Sequence, residues 1–206
     1  MDTDGDGIGD ACDPNPGTHD TMWLFEGFHK GMPAWPGSTN WSPVGDKLRV
    51  IAPGNTVNDG GYLVMPLASP GRLTFDNFSV TATVLVEQKT GSNGDHSIGL
   101  SMFDDNANNE VLCDLDQGSG AGSVLFLEND NTTINKQTFN WTIATEYRIS
   151  LVRHGTTYTC TVVGPGGVSV TAMGTSQLAP RTGADMEIWA FGVTAQFGSV
   201  QVVGTP

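Results

Sequence analysis

A chain of 206 residues, 38% of them hydrophobic and 15% charged, holds enough apolar material for one sizeable core and too little charge for a disordered segment. Its 22 Asp+Glu against 9 Lys+Arg leave a net charge of -13, a surface that repels phosphate backbones and anionic lipid head groups and so argues against nucleic acid or a membrane surface as partner. No apolar run reaches the ~18–20 residues that span a bilayer, and 27 Gly with 11 Pro favour short strands and tight turns over helices.

The acidic residues are concentrated at the start. Asp2, Asp4, Asp6, Asp10 and Asp13 all fall in the first thirteen positions, in the string DTDGDGIGDACD. Calcium takes six to eight oxygens at about 2.4 Å, which a short loop supplies by alternating ligands with spacers. Asp2, Asp4 and Asp6 offer three carboxylates, Gly7 allows a sharp turn, and Ile8 offers its carbonyl while its side chain packs away. Asp10 is expected to act directly, through water or on a second ion, and Asp13 to close the cage. An EF-hand would need flanking helices and a final Glu, whereas Pro14 and Pro16 follow and the last position is Asp. The spacing D-x-D-x-D-G-x-x-D-x-C-D instead resembles a thrombospondin type 3 repeat. That resemblance implies Ca2+ as cofactor, tandem neighbours, and a partner for Cys12 in an adjoining repeat. The plain alternative is a solvated acidic tail. Met1 directly precedes the loop, and the expectation is a fragment excised from a longer exported chain.

Residues 14–20 read as a stiff, Pro-containing linker, and from Trp23 the text is uniform, so residues 21–206 are expected to form one domain. Period-two alternation runs through it, the mark of a half-buried strand. Phe78, Val80, Ala82, Val84 and Val86 share a face, as do Ile98, Leu100 and Met102; Tyr147, Ile149 and Leu151; and Tyr158, Cys160 and Val162. Turn signals at residues 90–95, 118–122, 153–157 and 164–167 separate the runs. About a dozen antiparallel strands in two sheets are expected. The segment TSQLAPRTG (175–183) allows one helical turn at most, NDNTTINKQ (129–137) reads as a long polar loop, and four sequons, at Asn40, Asn77, Asn131 and Asn140, carry little weight.

Cys113 and Cys160 both lie in strand-like text, and a bond between them across or between sheets is expected, implying an oxidising compartment; two buried free thiols are the alternative. Cys12 is left over.

The opening WLFEGFHKGMPAWPGSTNWSPVGDKLRV and the closing MEIWAFGVTAQFGSVQVVG resemble the first strands and the final hairpin of the concanavalin-A-like, laminin-G-like jelly rolls. The fold class this implies is an all-β, two-sheet antiparallel sandwich. The resemblance also suggests a second calcium near Glu26 and Asp185, although Gly198 stands where relatives carry an acidic residue. The Glu-x-Asp-x-Glu strand of glucanases with this fold is absent. Glu110, Asp114 and Asp116 share a face of EVLCDLDQ, and a two-residue spacing sets the Asp pair about 6.5–7 Å apart at the backbone, a range open to acid/base work; a solvated polar face is the bland reading. Trp189 and Phe191 lie opposite Ile188 and Ala190, and Phe103 is similarly out of phase with its neighbours. They suit either a stacking platform for sugar rings or a second packed face. Trp23, Trp35, Trp41 and Trp141 read as packing, and His19, His29, His96 and His154 as surface residues.

The reading that follows is a calcium-binding, non-catalytic module of a larger secreted or cell-surface protein, engaging a glycan or another extracellular protein. Its rivals are a glycan hydrolase or lyase acting through Asp114 and Asp116, and a structural spacer.

Overall fold

The alternation seen in the sequence becomes strand pairing throughout a computed structural model that describes residues 1–10, 16–56, 59–65, 77–91, 94–103, 110–117, 124–129, 132–175 and 185–204. Fourteen strands occur among these residues. They are β1 (Thr21–Glu26), β2 (Trp41–Val44), β3 (Lys47–Ala52), β4 (Gly61–Met65), β5 (Asn77–Lys89), β6 (His96–Phe103), β7 (Glu110–Gln117), β8 (Val124–Asn129), β9 (Thr132–Thr138), β10 (Glu146–His154), β11 (Thr157–Val163), β12 (Ser169–Thr175), β13 (Asp185–Phe191) and β14 (Val193–Gly204). One 3-10 turn, at Pro165–Gly167, is the sole helical element among the described residues.

The strands form two antiparallel sheets. The larger runs β12-β11-β10-β5-β14-β3-β2 and the smaller β4-β13-β6-β7-β8-β9. β14 lies against β5 along its length, while its other edge is shared, β3 taking Val193–Phe197 and β1 taking Val200–Gly204. Its register against β5 shifts between Phe197 and Ser199. Gly198 sits in that shift, where an added Cβ would come 2.7 Å from Thr83 Oγ1. A side chain at this position would therefore have to displace the Thr83 hydroxyl.

Each expected face is buried as a unit. Phe78, Val80, Ala82, Val84 and Val86 are at most 1% exposed, and Ile98, Leu100, Ile149, Leu151, Tyr158 and Val162 are likewise sealed. Together they make the inter-sheet core, with Trp35, Trp41 and Trp141 packed into it and Trp23 against its edge. The hydrogen bond from Trp141 Nε1 to the Asp116 carbonyl, 3.1 Å, gives the buried indole its polar partner. Cys113 on β7 and Cys160 on β11 are disulfide-bonded with Cα atoms 5.3 Å apart, so the bond crosses the core from the smaller sheet to the larger. The free-thiol alternative is thereby removed.

Two expectations are corrected. The segment read as a polar loop contains β9, which pairs with β8 through Val124↔Thr138 to Asn129↔Thr132. Its pattern was hidden because an edge strand buries little: only Ile134 packs against the core, while Asn135 Nδ2 donates to the Met173 carbonyl of β12 at 2.8 Å. His96, read as a surface residue, opens β6 half-buried, with Nδ1 2.7 Å from the Gly192 carbonyl. The possible turn in 175–183 lies outside the described residues beyond Thr175, as do the turn at 118–122 and Asn131.

Candidate functional site

Two places gather polar side chains in a way that packing does not require. The first is the N-terminal loop. Its alternating Asp residues fold back through Asx-type bonds: Asp2 accepts from the Gly5 and Gly7 amides (2.8 and 3.1 Å), Asp4 from Asp6 (3.3 Å), and Asp6 from Ile8 (2.7 Å). This winding brings carboxylate oxygens of Asp2, Asp4 and Asp6 within 4.8 Å of one another. Asp4 Oδ2 is buried and has no hydrogen-bond partner. A convergent all-oxygen set with an orphaned carboxylate oxygen has the chemistry of a hard divalent-cation site. Ile8 is buried, at 3% exposed. The Asp20 amide donates to Asp6 Oδ2 at 2.7 Å, which ties the loop to the start of the sandwich. Asp10 turns elsewhere, accepting from the Thr3 amide and hydroxyl (2.8 and 3.0 Å). Cys12 and Asp13 lie outside the described residues.

The second place is the face of the smaller sheet turned away from the core. Strand register lays Tyr62, Trp189, Gly99 and Asp114 in one cross-strand row, with Val64, Glu187, Ser101 and Leu112 in the next. Gly99 is required between Trp189 and Asp114, because an added Cβ would come 2.5 Å from Asp114 Cβ and 2.3 Å from the Cys113 carbonyl. Within this face lies a pocket of ≈ 300 Å³. Tyr62 of β4, Trp189 and Phe191 of β13 and Leu112 of β7 supply its apolar lining, and Glu110 and Glu187 its charge. Trp189 Nε1 is buried there without a hydrogen-bond partner, as is Ser101 Oγ in the neighbouring row. Burying a donor unmet costs about 1–3 kcal/mol, which a ligand acceptor would recover.

The residues expected to form a ligand face are thus only partly those that line this pocket. Trp189 and Phe191 are half-buried opposite sealed Ile188 and Ala190, as their alternation predicts. Of Asp114, Asp116 and Trp189, the expected residues whose side chains are described, Trp189 alone lines the pocket. Asp114 is 5% exposed, which overturns its bland reading as part of a solvated face, and Asp116 is half-buried. Phe103 ends β6, and its side chain is outside the described part. Tyr62 and Glu187 were missed as site residues. Glu187 carried a signal, since it shares the parity of Trp189 in MEIWAF; Tyr62 carried none, because only the β4–β13 pairing delivers it.

No family model and no curated protein matches this sequence. Solved structures do match in shape. The Lotus tetragonolobus seed lectin superposes with a TM-score of 0.69 at 10% identity, over 90% of this chain and 100% of the lectin. Peanut lectin gives 0.67 at 10% identity, over 91% of this chain and 98% of that one. The GH43 protein BlXynB from Bacillus licheniformis gives 0.65 at 14% identity, over 88% of this chain but 39% of its own, so this chain spans about two fifths of that protein. The fold is a lectin-like jelly roll.

On this jelly roll the remaining expected pair is divided between layers. Glu26 closes β1 on the larger sheet, where its Oε1 accepts from the Phe28 amide at 2.7 Å, while Asp185 opens β13 on the smaller. Among the described residues, the set Asp2, Asp4 and Asp6 is the group of three or more metal-ligand side chains that converges, and Glu26 belongs to no such group. Among the described residues, no helix is long and apolar enough to cross a membrane.

Proposed function

We propose that this chain is a calcium-binding, non-catalytic recognition module of a larger secreted or cell-surface protein, in which residues 21–206 hold carbohydrate and residues 1–13, a thrombospondin type 3-like loop, are stiffened by Ca2+ and joined by the linker 14–20. The observation that carries the carbohydrate reading is the pocket on the smaller sheet. Trp189, Tyr62 and Phe191 offer flat apolar surface for a sugar ring, and Trp189 Nε1 offers a buried donor still to be met. The lectin likeness supports a fold able to carry such a site but not a ligand. The inter-sheet disulfide supports an oxidising, extracellular setting. Convergence of Asp2, Asp4 and Asp6 supports the ion.

A panel of immobilised oligosaccharides tests the reading. Binding to at least one glycan class is expected, weakened more than about tenfold by Trp189→Ala, the size typical of a central tryptophan anchor. A silent panel, or binding indifferent to Trp189, would refute it. Turnover of any bound oligosaccharide would favour the enzymatic rival instead.

A further inference from the structure

We propose, resting on the carbohydrate reading above, that the pocket selects a sugar bearing an N-acetyl group over the same sugar bearing a hydroxyl in its place. Trp189 Nε1 and Ser101 Oγ of this face are both buried without a hydrogen-bond partner. An indole N–H can only donate, whereas a hydroxyl donates or accepts. Strand register sets Ser101 between Glu187 and Leu112, both of which line the pocket. A secondary amide carries one carbonyl acceptor and one N–H donor, the complement of a donor-only indole beside a two-way hydroxyl. Glu110 and Glu187 are engaged within the protein and supply no part of this selectivity.

The walls favour the methyl end of the same group. Leu112, Ala190 and Phe191 line the ≈ 300 Å³ that Tyr62 and Trp189 also border. A methyl moved from water onto such walls is stabilised by the apolar surface it removes from solvent. A hydroxyl in that place gives up bonds to water that Leu, Ala and Phe side chains cannot replace. A hydroxyl accepting from Trp189 would also keep a proton in need of an acceptor, and an amide carbonyl oxygen has none. Tyr62 and Trp189 leave flat surface for the sugar ring itself. The volume stands near the lower end for ligand sites, about the scale of one substituted ring rather than a long groove.

The test is saturation-transfer NMR of the full chain with two matched pairs, N-acetylglucosamine with glucose and N-acetylgalactosamine with galactose, followed by titration of each pair that binds. The acetyl methyl of at least one N-acetyl sugar should receive the strongest saturation, and that sugar should bind about tenfold more tightly than its hydroxyl partner. Trp189→Phe keeps an aromatic ring and removes the N–H. It should weaken the N-acetyl sugar about fivefold and leave the hydroxyl sugar as before. Ser101→Ala should act in the same direction. Tyr62→Ala alters a side chain that is 48% exposed, so the fold is spared; it should weaken every sugar that binds. Saturated ring protons with a silent methyl, lost in Tyr62→Ala, would overturn the N-acetyl preference and leave the carbohydrate reading intact. Equal affinity within a pair, or a preference unchanged in both Trp189→Phe and Ser101→Ala, would do the same. Silence from all four sugars while the oligosaccharide panel binds through Trp189 would overturn the preference alone. Silence in both experiments would overturn the preference and the carbohydrate reading together.

Discussion

Arg153 and Tyr158 are fully buried neighbours on β10 and β11, the guanidinium standing 5.3 Å from the centre of the phenol ring. Arg153 Nε donates to the Gly155 carbonyl at 2.7 Å, but the Tyr158 hydroxyl has no hydrogen-bond partner. Burial pushes this phenol above its ordinary value of 10.0, opposed more weakly by the Arg153 charge. The folded state therefore holds the Tyr158 proton more tightly than the unfolded chain. That contribution to stability is complete below about pH 10 and is lost as pH rises through the raised folded value. Tyr158→Phe removes an unmet hydroxyl and keeps the ring under Arg153. It should raise stability by about 1 kcal/mol at neutral pH and flatten the alkaline fall, both read by urea unfolding at pH 7 and above pH 10. A loss of stability at pH 7 would contradict it. At the N-terminus the prediction concerns Asp4, whose Oδ2 is buried without a hydrogen-bond partner and whose carboxylate converges with those of Asp2 and Asp6. Calcium should release heat on titration into the wild-type chain and raise its melting temperature, since a ligand that binds only the folded form stabilises it. Both effects should vanish in Asp4→Ala. Heat of equal size in the variant would remove the site.

At the scale of elements, β6 joins the site to the core. Its inward Ile98, Leu100 and Met102 are sealed between the sheets, while its outward Gly99 lets β7 approach and sets Trp189 and Asp114 in one row. Gly99→Ala would place a carbon 2.3 Å from the Cys113 carbonyl. Strands held by two neighbours cannot move apart freely, so about 1–3 kcal/mol of stability should be lost, together with ligand binding. A variant as stable as the parent would show that the sheet relaxes there. The strands themselves were legible because one packed face and one polar face impose period two on β5, β6, β10 and β11. β9 was not, since an exposed edge strand has no such constraint beyond Ile134.

At the scale of the whole molecule, the Cys113–Cys160 bond ties the two layers at a separation of 47 residues along the chain. Closing a loop of that length restricts the unfolded chain by about 4 kcal/mol on an entropic estimate. The double variant Cys113→Ser/Cys160→Ser should lose stability of that order in chemical denaturation, with near-wild-type strand content where it still folds. A negligible loss would place the stabilisation elsewhere, in the packing of Leu115, Leu125, Ile149 and their neighbours.

The amino-acid sequence determined by itself those features whose causes are local. Alternation marked the buried faces, spacing marked the Asp2, Asp4 and Asp6 loop, and two cysteines in strand text pointed to one bond. Only the tertiary structure decided which outward faces meet. Tyr62 and Trp189 are 127 positions apart and become neighbours through strand register alone, and Glu110 reaches the same pocket from the far side of β6. Period two says that a side chain points outward. It carries no information about its neighbour on the next strand, and that neighbour is what turns an exposed aromatic residue into the wall of a pocket.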